Sequence, residues 1–85
     1  MIIIYIEENI EGVGTRMRVL KRLLGPLTIK TVRQRQITLT SGLVIYVIAK
    51  YEMDKIRGLE ALAVFVNCSL DAYDRAGAAS IVRGK

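Results

Sequence analysis

The stretch Gln36–Asn67 decides the fold, with QITLTSGLVIYVIAK at positions 36–50, YEMDKIRGLE at 51–60 and ALAVFVN at 61–67. Two apolar residues, Ile37 and Leu39, alternate with threonines, a pattern typical of a half-buried strand. The dipeptide Ser41–Gly42 follows and favours a turn, because glycine can adopt a positive φ. We therefore predict a β-hairpin whose second strand is Leu43–Ala49.

Two apolar runs follow one another in this stretch. Leu43–Ala49 and Ala61–Val66 contain no polar residue, which indicates strands covered on both faces. A short polar segment with Asp54, Arg57 and Gly58 joins them. Apolar strands joined by a helical crossover are typical of parallel pairing, because crossover helices cover both faces of a sheet. The pattern predicts a hairpin followed by a parallel α/β unit.

The preceding residues predict a strand, a loop and a helix. Met1–Ile6 is apolar and β-branched, as in a buried strand. Glu7–Gly14 holds two glycines, and we predict a loop there, with Thr15 as the N-cap of a helix. Apolar residues at helical spacing predict that this helix covers Arg16–Leu24 and ends at Gly25–Pro26.

Alternation resumes in Leu27–Thr40 but loses its parity at Val32, which predicts either a bulge near Val32–Arg35 or two short strands. A last helix, capped by Asn67 or Ser69, follows. The predicted fold class is α/β: a single domain over residues 1–85 with a mixed sheet and the order β-α-β-β-(short α)-β-α. A ferredoxin-like α+β fold is the alternative, and it requires the strand at 63–67 to be antiparallel to its neighbour.

Composition excludes several classes of protein. Eighty-five residues with 52% hydrophobic content predict one small globular domain, and no apolar run is long enough to cross a bilayer. We expect a soluble protein of the cytoplasm, without a membrane partner. Cys68 is the only cysteine and histidine is absent, which excludes disulfide frameworks, multi-thiolate zinc sites and histidine-based triads. We therefore expect no catalytic residues, metal or cofactor, and no enzyme activity.

The positive charge is concentrated in one half of the chain. The formal net charge is +5, and no acidic residue lies between Glu11 and Glu52. Basic residues in this interval provide a surface for phosphates, whose neutralisation releases counterions. We expect them to bind nucleic acid, duplex DNA in particular. The candidate nucleic-acid-binding residues are Arg16, Arg18, Lys21, Arg22, Lys30, Arg33 and Arg35.

Three motifs in order resemble the middle of the ATPase domain of large terminase subunits, the motors that package viral DNA. They are Leu39–Gly42 (LTSG), Arg57–Gly58 and Ala63–Val66 (AVFV), and the resemblance covers about residues 1 to 70. In that family the corresponding segments are a hairpin, an Arg-Gly pair and the strand that ends in the Walker B Asp-Glu. The resemblance implies half of a P-loop ATPase fold and a viral or proviral origin, with the host cytoplasm as the location.

The nucleotide chemistry of that family has no counterpart in these residues. The G-x-x-x-x-G-K-[S/T] motif is absent, and its strand would have to precede Met1. Asn67 and Cys68 occupy the degenerate Walker B position, where two carboxylates would hold Mg²⁺ and orient water. The resemblance therefore implies a terminase-like topology without ATPase activity.

Two functions remain. The first is a non-catalytic nucleic-acid-binding module, and it predicts that Arg18, Lys21 and Arg22 lie on the same side of the molecule as Arg33 and Arg35. The alternative is a protein-interaction or assembly module that self-associates or regulates an intact relative. It is favoured by the high apolar content, which a homo-oligomer would bury. On this alternative, the basic residues only keep the protein soluble.

Overall fold

Five strands, two α-helices and one 3-10 helix make up residues 1–82, the part of the chain that this computed structural model describes. The strands are β1 (Ile2–Glu7), β2 (Ile29–Arg33), β3 (Gln36–Leu39), β4 (Val44–Ala49) and β5 (Ala63–Asn67). The helices are α1 (Ile10–Leu24), α2 (Ala72–Ser80) and the 3-10 helix Lys50–Lys55. No helix within these residues is both long and apolar enough to cross a membrane.

The strands form one mixed sheet in the order β2-β3-β4-β1-β5. β1 lies parallel to both of its neighbours, with Ile2 opposite Val44 and Ile3 opposite Ala63. β2, β3 and β4 pair in antiparallel fashion. The predicted hairpin and the predicted parallel unit are both present. The ferredoxin-like alternative is wrong, because β5 runs parallel to β1.

Each face of the sheet carries its own core. On the face that we call the α1 face, Val13, Met17 and Leu20 of α1 pack against residues such as Ile37 and Val47. On the opposite face, which we call the α2 face, Ile4, Ile6 and Ile48 pack against α2, the 3-10 helix and the segments beside them. Both faces of β1 and β4 are therefore buried, which explains their unbroken apolar sequences.

The loop predicted over Glu7–Gly14 is wrong, because α1 already begins at Ile10. The side chain of Asn9 caps the helix by accepting a hydrogen bond of 2.9 Å from the backbone N–H of Gly12. A Cβ atom on Gly12 would lie 3.3 Å from the Cβ of Glu7. This glycine lets the helix lie close to β1, so it marks a packing contact rather than a loop. The helix ends at Gly25, with φ of 77°, as predicted.

Two further expectations concern local structure. Of the alternatives for Leu27–Thr40, two short strands are present, and a shift in register lies between Ile29 and Thr31 instead of near the turn. The last helix is capped by Asp71, whose side chain accepts a hydrogen bond from the backbone N–H of Asp74. Asn67 and Ser69, the predicted caps, precede that turn.

Candidate functional site

Two of the seven candidate basic residues form ion pairs inside the fold. Arg16 Nε lies 3.2 Å from Glu7 Oε2, and its guanidinium lies 5.3 Å from the centre of the Tyr5 ring. Arg35 Nε lies 3.0 and 3.2 Å from the two carboxylate oxygens of Glu52. Both carboxylates belong to buried residues. Both guanidinium groups therefore already have a carboxylate partner within the fold.

The outer surface of α1 carries unpaired positive charge. Arg18, Lys21 and Arg22 are exposed, and within residues 1–82 none of them contacts a carboxylate. Arg18 donates a hydrogen bond of 3.3 Å to the hydroxyl of Thr15. These three residues remain available to an anionic ligand.

The basic residues of β2 are separated from this helical surface. Lys30 and Arg33 are exposed. Arg33 lies opposite Gln36, and Gln36 lies opposite Tyr46, whose ring packs against the core of the α2 face. Opposed residues of neighbouring strands share a face, so Arg33 lies on the α2 face while the helix covers the other. The expected single basic side of the molecule is therefore divided between two faces.

Asn67 and Cys68, which the terminase resemblance places at a degenerate Walker B position, lie at the carboxyl edge of the parallel strands. Asn67 Nδ2 donates a hydrogen bond of 2.7 Å to Glu7 Oε2, the same oxygen that Arg16 contacts. The sequence analysis did not select Glu7. A signal was present, because Glu7 is the last residue of β1 and Asn67 is the last residue of the neighbouring strand β5. The carboxyl ends of parallel strands where crossovers leave on opposite faces are the usual ligand site of open α/β sheets. Here Glu7, Arg16 and Asn67 satisfy one another at that place.

Cys68 and its surroundings do not provide a reactive centre. Partial burial raises the pKa of the Cys68 thiol, and the negative charge of Glu8 adds to the effect. The thiol is then mostly protonated at neutral pH and a poor nucleophile. Glu8 forms an ion pair with Lys50, and its hydrogen bond raises the pKa of that lysine. Residues 1–82 contain no group of three or more His, Cys, Asp or Glu side chains that could hold a metal ion.

Among residues 1–82, no strand pairs with the outer edge of β5 from Ala63 to Asn67. The C=O of Met1 accepts a hydrogen bond of 2.9 Å from Val44 N–H. The backbone N–H and C=O groups of odd-numbered β1 residues therefore point towards β4, and those of even-numbered residues point towards β5. Opposed residues of parallel strands are related by translation, and Val64 and Val66 lie opposite the even-numbered Ile4 and Ile6. Their N–H and C=O groups therefore point away from the sheet, where the described chain offers no partner.

The side chains along this edge are apolar on both faces. On the α1 face Phe65 stacks on Tyr5, with ring centres 5.0 Å apart, yet remains 46% exposed. Val66 is 43% exposed. No charged residue occurs from Ala61 to Leu70. On the α2 face a cavity of about 450 Å³ opens between β5 and α2, with walls that include Val64, Val66, Ala78, Ala79 and Val82.

One side of α1 also carries exposed apolar side chains. Val19 and Leu23 are 41% and 76% exposed and follow Arg16 at helical spacing on the side of the helix that lies over Tyr5. Exposed apolar side chains are a common feature of interaction sites.

Comparisons with known proteins identify no relative. No family model, no curated protein and no solved structure matches this chain. The resemblance to the terminase ATPase domain therefore stays a prediction.

Proposed function

We propose that this chain is a non-catalytic protein-interaction module that accepts a further β-strand on the free edge of β5. The observation that carries the proposal is the pair of outward-facing backbone positions, Val64 and Val66, in an uncharged strand. An added strand would satisfy these groups and cover apolar side chains on both faces. Strand addition of this kind is a common mode of protein recognition.

The edge is also ordered before a partner arrives. β5 pairs with β1 in unbroken register from Ala63 to Asn67, and Phe65 is already held by the ring of Tyr5. Asn67, at the end of the strand, is fixed by Glu7. Binding therefore loses little conformational entropy in this strand, which favours association.

A peptide with the sequence of β5 tests the proposal. We expect LAVFVN, flanked by lysines for solubility, to bind the dilute chain saturably and to protect the amides of Val64 and Val66 from hydrogen exchange. A peptide with lysine in place of phenylalanine serves as the control and should not bind. Equal binding of both peptides, or no protection of the two amides, would count against strand addition.

A second candidate function, nucleic-acid binding, is favoured by one specific observation. Arg18, Lys21 and Arg22 form an exposed surface on α1, and none of them has a carboxylate partner among residues 1–82. Such a surface would contact the phosphates of duplex DNA without reading its sequence.

Matched single variants test this second function. Arg22→Ala should lower the slope of log K against log salt by about one, whereas Arg33→Ala, on the other face, should leave it unchanged. Gel-shift titration at several salt concentrations provides the measurement. If duplex DNA is not retarded even at low salt, the basic helix only increases solubility.

The absence of ATPase chemistry is part of the proposal and can be tested directly. The amide of Asn67 already bonds Glu7, and Cys68 offers a partly buried thiol where a terminase-like site would need a carboxylate. We expect calorimetric titration with Mg·ATP to show no micromolar binding. Turnover of ATP that is lost in Asn67→Ala would show instead that the chain is an enzyme.

A further inference from the structure

We infer that the strand that pairs with β5 is β5 of a second copy of this chain, antiparallel, with a twofold axis at Phe65. The inference rests on the proposed function, because it requires that the edge of β5 accept a strand. It adds the identity of the partner, the direction of its strand and the register.

The backbone of β5 is self-complementary about Phe65. The outward-facing groups belong to Val64 and Val66, one on each side of that residue. In an antiparallel pair centred on Phe65, Val64 and the partner's Val66 exchange two hydrogen bonds, and Val66 and the partner's Val64 exchange two more. A twofold axis at either valine would leave one of these positions without its hydrogen-bonding partner. The register at Phe65 therefore satisfies every outward-facing group of the strand.

The side chains also match across this axis. Phe65 and the partner's Phe65 would form a directly opposed pair without mutual backbone hydrogen bonds, the arrangement that brings side chains closest. Both rings lie on the α1 face, so the stack of Phe65 on Tyr5 would continue into the partner as a row of four rings. On the α2 face, Val64 and the partner's Val66 would meet beside the cavity next to α2.

Charge favours a second copy at this edge alone. A chain with a net charge of +5 repels itself, but the run from Ala61 to Leu70 carries no charge. The opposite edge strand, β2, carries the exposed Lys30 and Arg33 and would bring like charges together. Self-association is thus least opposed where the backbone groups are unpaired.

The last described residues lie beside the amino end of β5. Val82 pairs with Ala61, beyond the amino end of β5, and Ala61 N–H donates to Ile81 C=O. In the twofold arrangement the partner's Asn67 lies opposite Ala63, and the partner's chain leaves the strand there. The twofold pair uses both free edges at once, so it closes as a dimer rather than growing into a filament.

Disulfide trapping tests the register. Ala63 and the partner's Asn67 form an opposed pair without mutual hydrogen bonds, for which Cα atoms lie about 4.5 Å apart, within the range that a disulfide spans. We expect a mixture of Ala63→Cys and Asn67→Cys chains, each also carrying Cys68→Ser, to give a cross-linked heterodimer under mild oxidation. Neither variant alone should cross-link, because its two cysteines would lie four residues apart along the paired strands. Circular dichroism verifies that both variants fold.

The outcomes separate this inference from the proposed function. If the unmodified chain sediments as a monomer at high micromolar concentration while the β5 peptide still binds, the edge accepts a strand but the partner is not a second copy. If the chain is a dimer but single variants cross-link as well as the mixture, the register is overturned. If the peptide does not bind and the chain is monomeric, both proposals fail. A dimer that cross-links only in the mixture supports both.

Discussion

The two edge strands of the sheet, β2 and β5, differ in the charge of their side chains and in the regularity of their pairing. β2 carries Lys30 and Arg33, and its pairing with β3 shifts register near Ile29. Charged side chains and irregular pairing are devices that keep an edge strand from joining another sheet. β5 keeps its register throughout and has neither charge nor proline. The comparison indicates that β2 resists further pairing, whereas β5 has the features of the strand that we propose to accept a partner.

An ion pair with a buried carboxylate also stabilises the hairpin that contains β2. Arg35, in the turn between β2 and β3, is held by the buried carboxylate of Glu52, which also accepts a hydrogen bond of 2.9 Å from Ala49 N–H. This ion pair links the turn between β2 and β3 to the end of β4. On the α1 face of β5, Phe65 has the stack on Tyr5 but remains half exposed.

The largest expected effect comes from placing a charge on each edge in turn. Phe65→Lys should weaken self-association by about 100-fold or more, because pairing would bury two unpaired ammonium groups side by side. Val32→Lys on β2 is the matched control, since Val32 and Phe65 are 44% and 46% exposed. Sedimentation equilibrium measures both. Equal weakening by the two variants would abolish the distinction between the edges.

The next effect concerns the ion pair between Arg35 and Glu52. Glu52→Gln should lower the free energy of unfolding by about 2 kcal/mol, because Arg35 loses its charged partner in a partly buried place. Glu8→Gln, which removes the exposed ion pair with Lys50, should change it little. Chemical denaturation of both variants provides the test. If Glu52→Gln is no less stable than Glu8→Gln, the hairpin does not depend on the ion pair between Arg35 and Glu52.

Acid should weaken the same contact. Burial alone raises the pKa of Glu52, but the hydrogen bonds from Arg35 and from Ala49 N–H outweigh it and hold the pKa below its ordinary value of 4.5. A carboxyl group whose pKa is lower in the folded state stabilises the fold above its unfolded pKa, and this stability is lost as the pH falls through the folded pKa. The stability difference between the natural chain and Glu52→Gln should therefore shrink below pH 4.5. A difference that stays constant at lower pH would contradict this assignment.

The smallest effect tests the aromatic support of the β5 edge. Tyr5→Leu should weaken dimerisation by about fivefold, because Phe65 would no longer be held before pairing and ordering it would cost about 0.5 kcal/mol in each of the two copies. Tyr51→Leu is the control, because Tyr51 is 67% exposed and lies on the connection after β4. Sedimentation at several concentrations would detect the change. No difference between the two variants would show that the ring of Tyr5 does not order the edge.

Local patterns in the sequence predicted the elements of this fold. The alternation at Ile37 and Leu39, the turn at Gly42 and the apolar run of β4 each depend on neighbours a few residues away. Gly25 also marked the end of α1. Gly12 misled the prediction, because its role depends on the distance to Glu7 and not on its own sequence context.

The candidate site depended on contacts that the sequence does not display. Arg16 and Arg35 looked like free cations, yet each contacts a carboxylate that only the folded chain brings near. Arg33 was assigned to the wrong side because its face depends on the register of β2 with β3. The uncharged run beside Phe65 was visible in the sequence, but its meaning required the knowledge that β5 lies at an edge.

The central position of β1 has a consequence for how the chain folds. Ile2 pairs with Val44 and Ile3 pairs with Ala63, so both neighbours of β1 come from far along the chain. Closing such long loops costs entropy before the contacts form, and folding of such topologies is slow. During synthesis, the isoleucines of β1 lack one of their two neighbouring strands until β5 has been made. A chaperone that shields this segment should therefore raise the yield of folded protein more than one that acts after release.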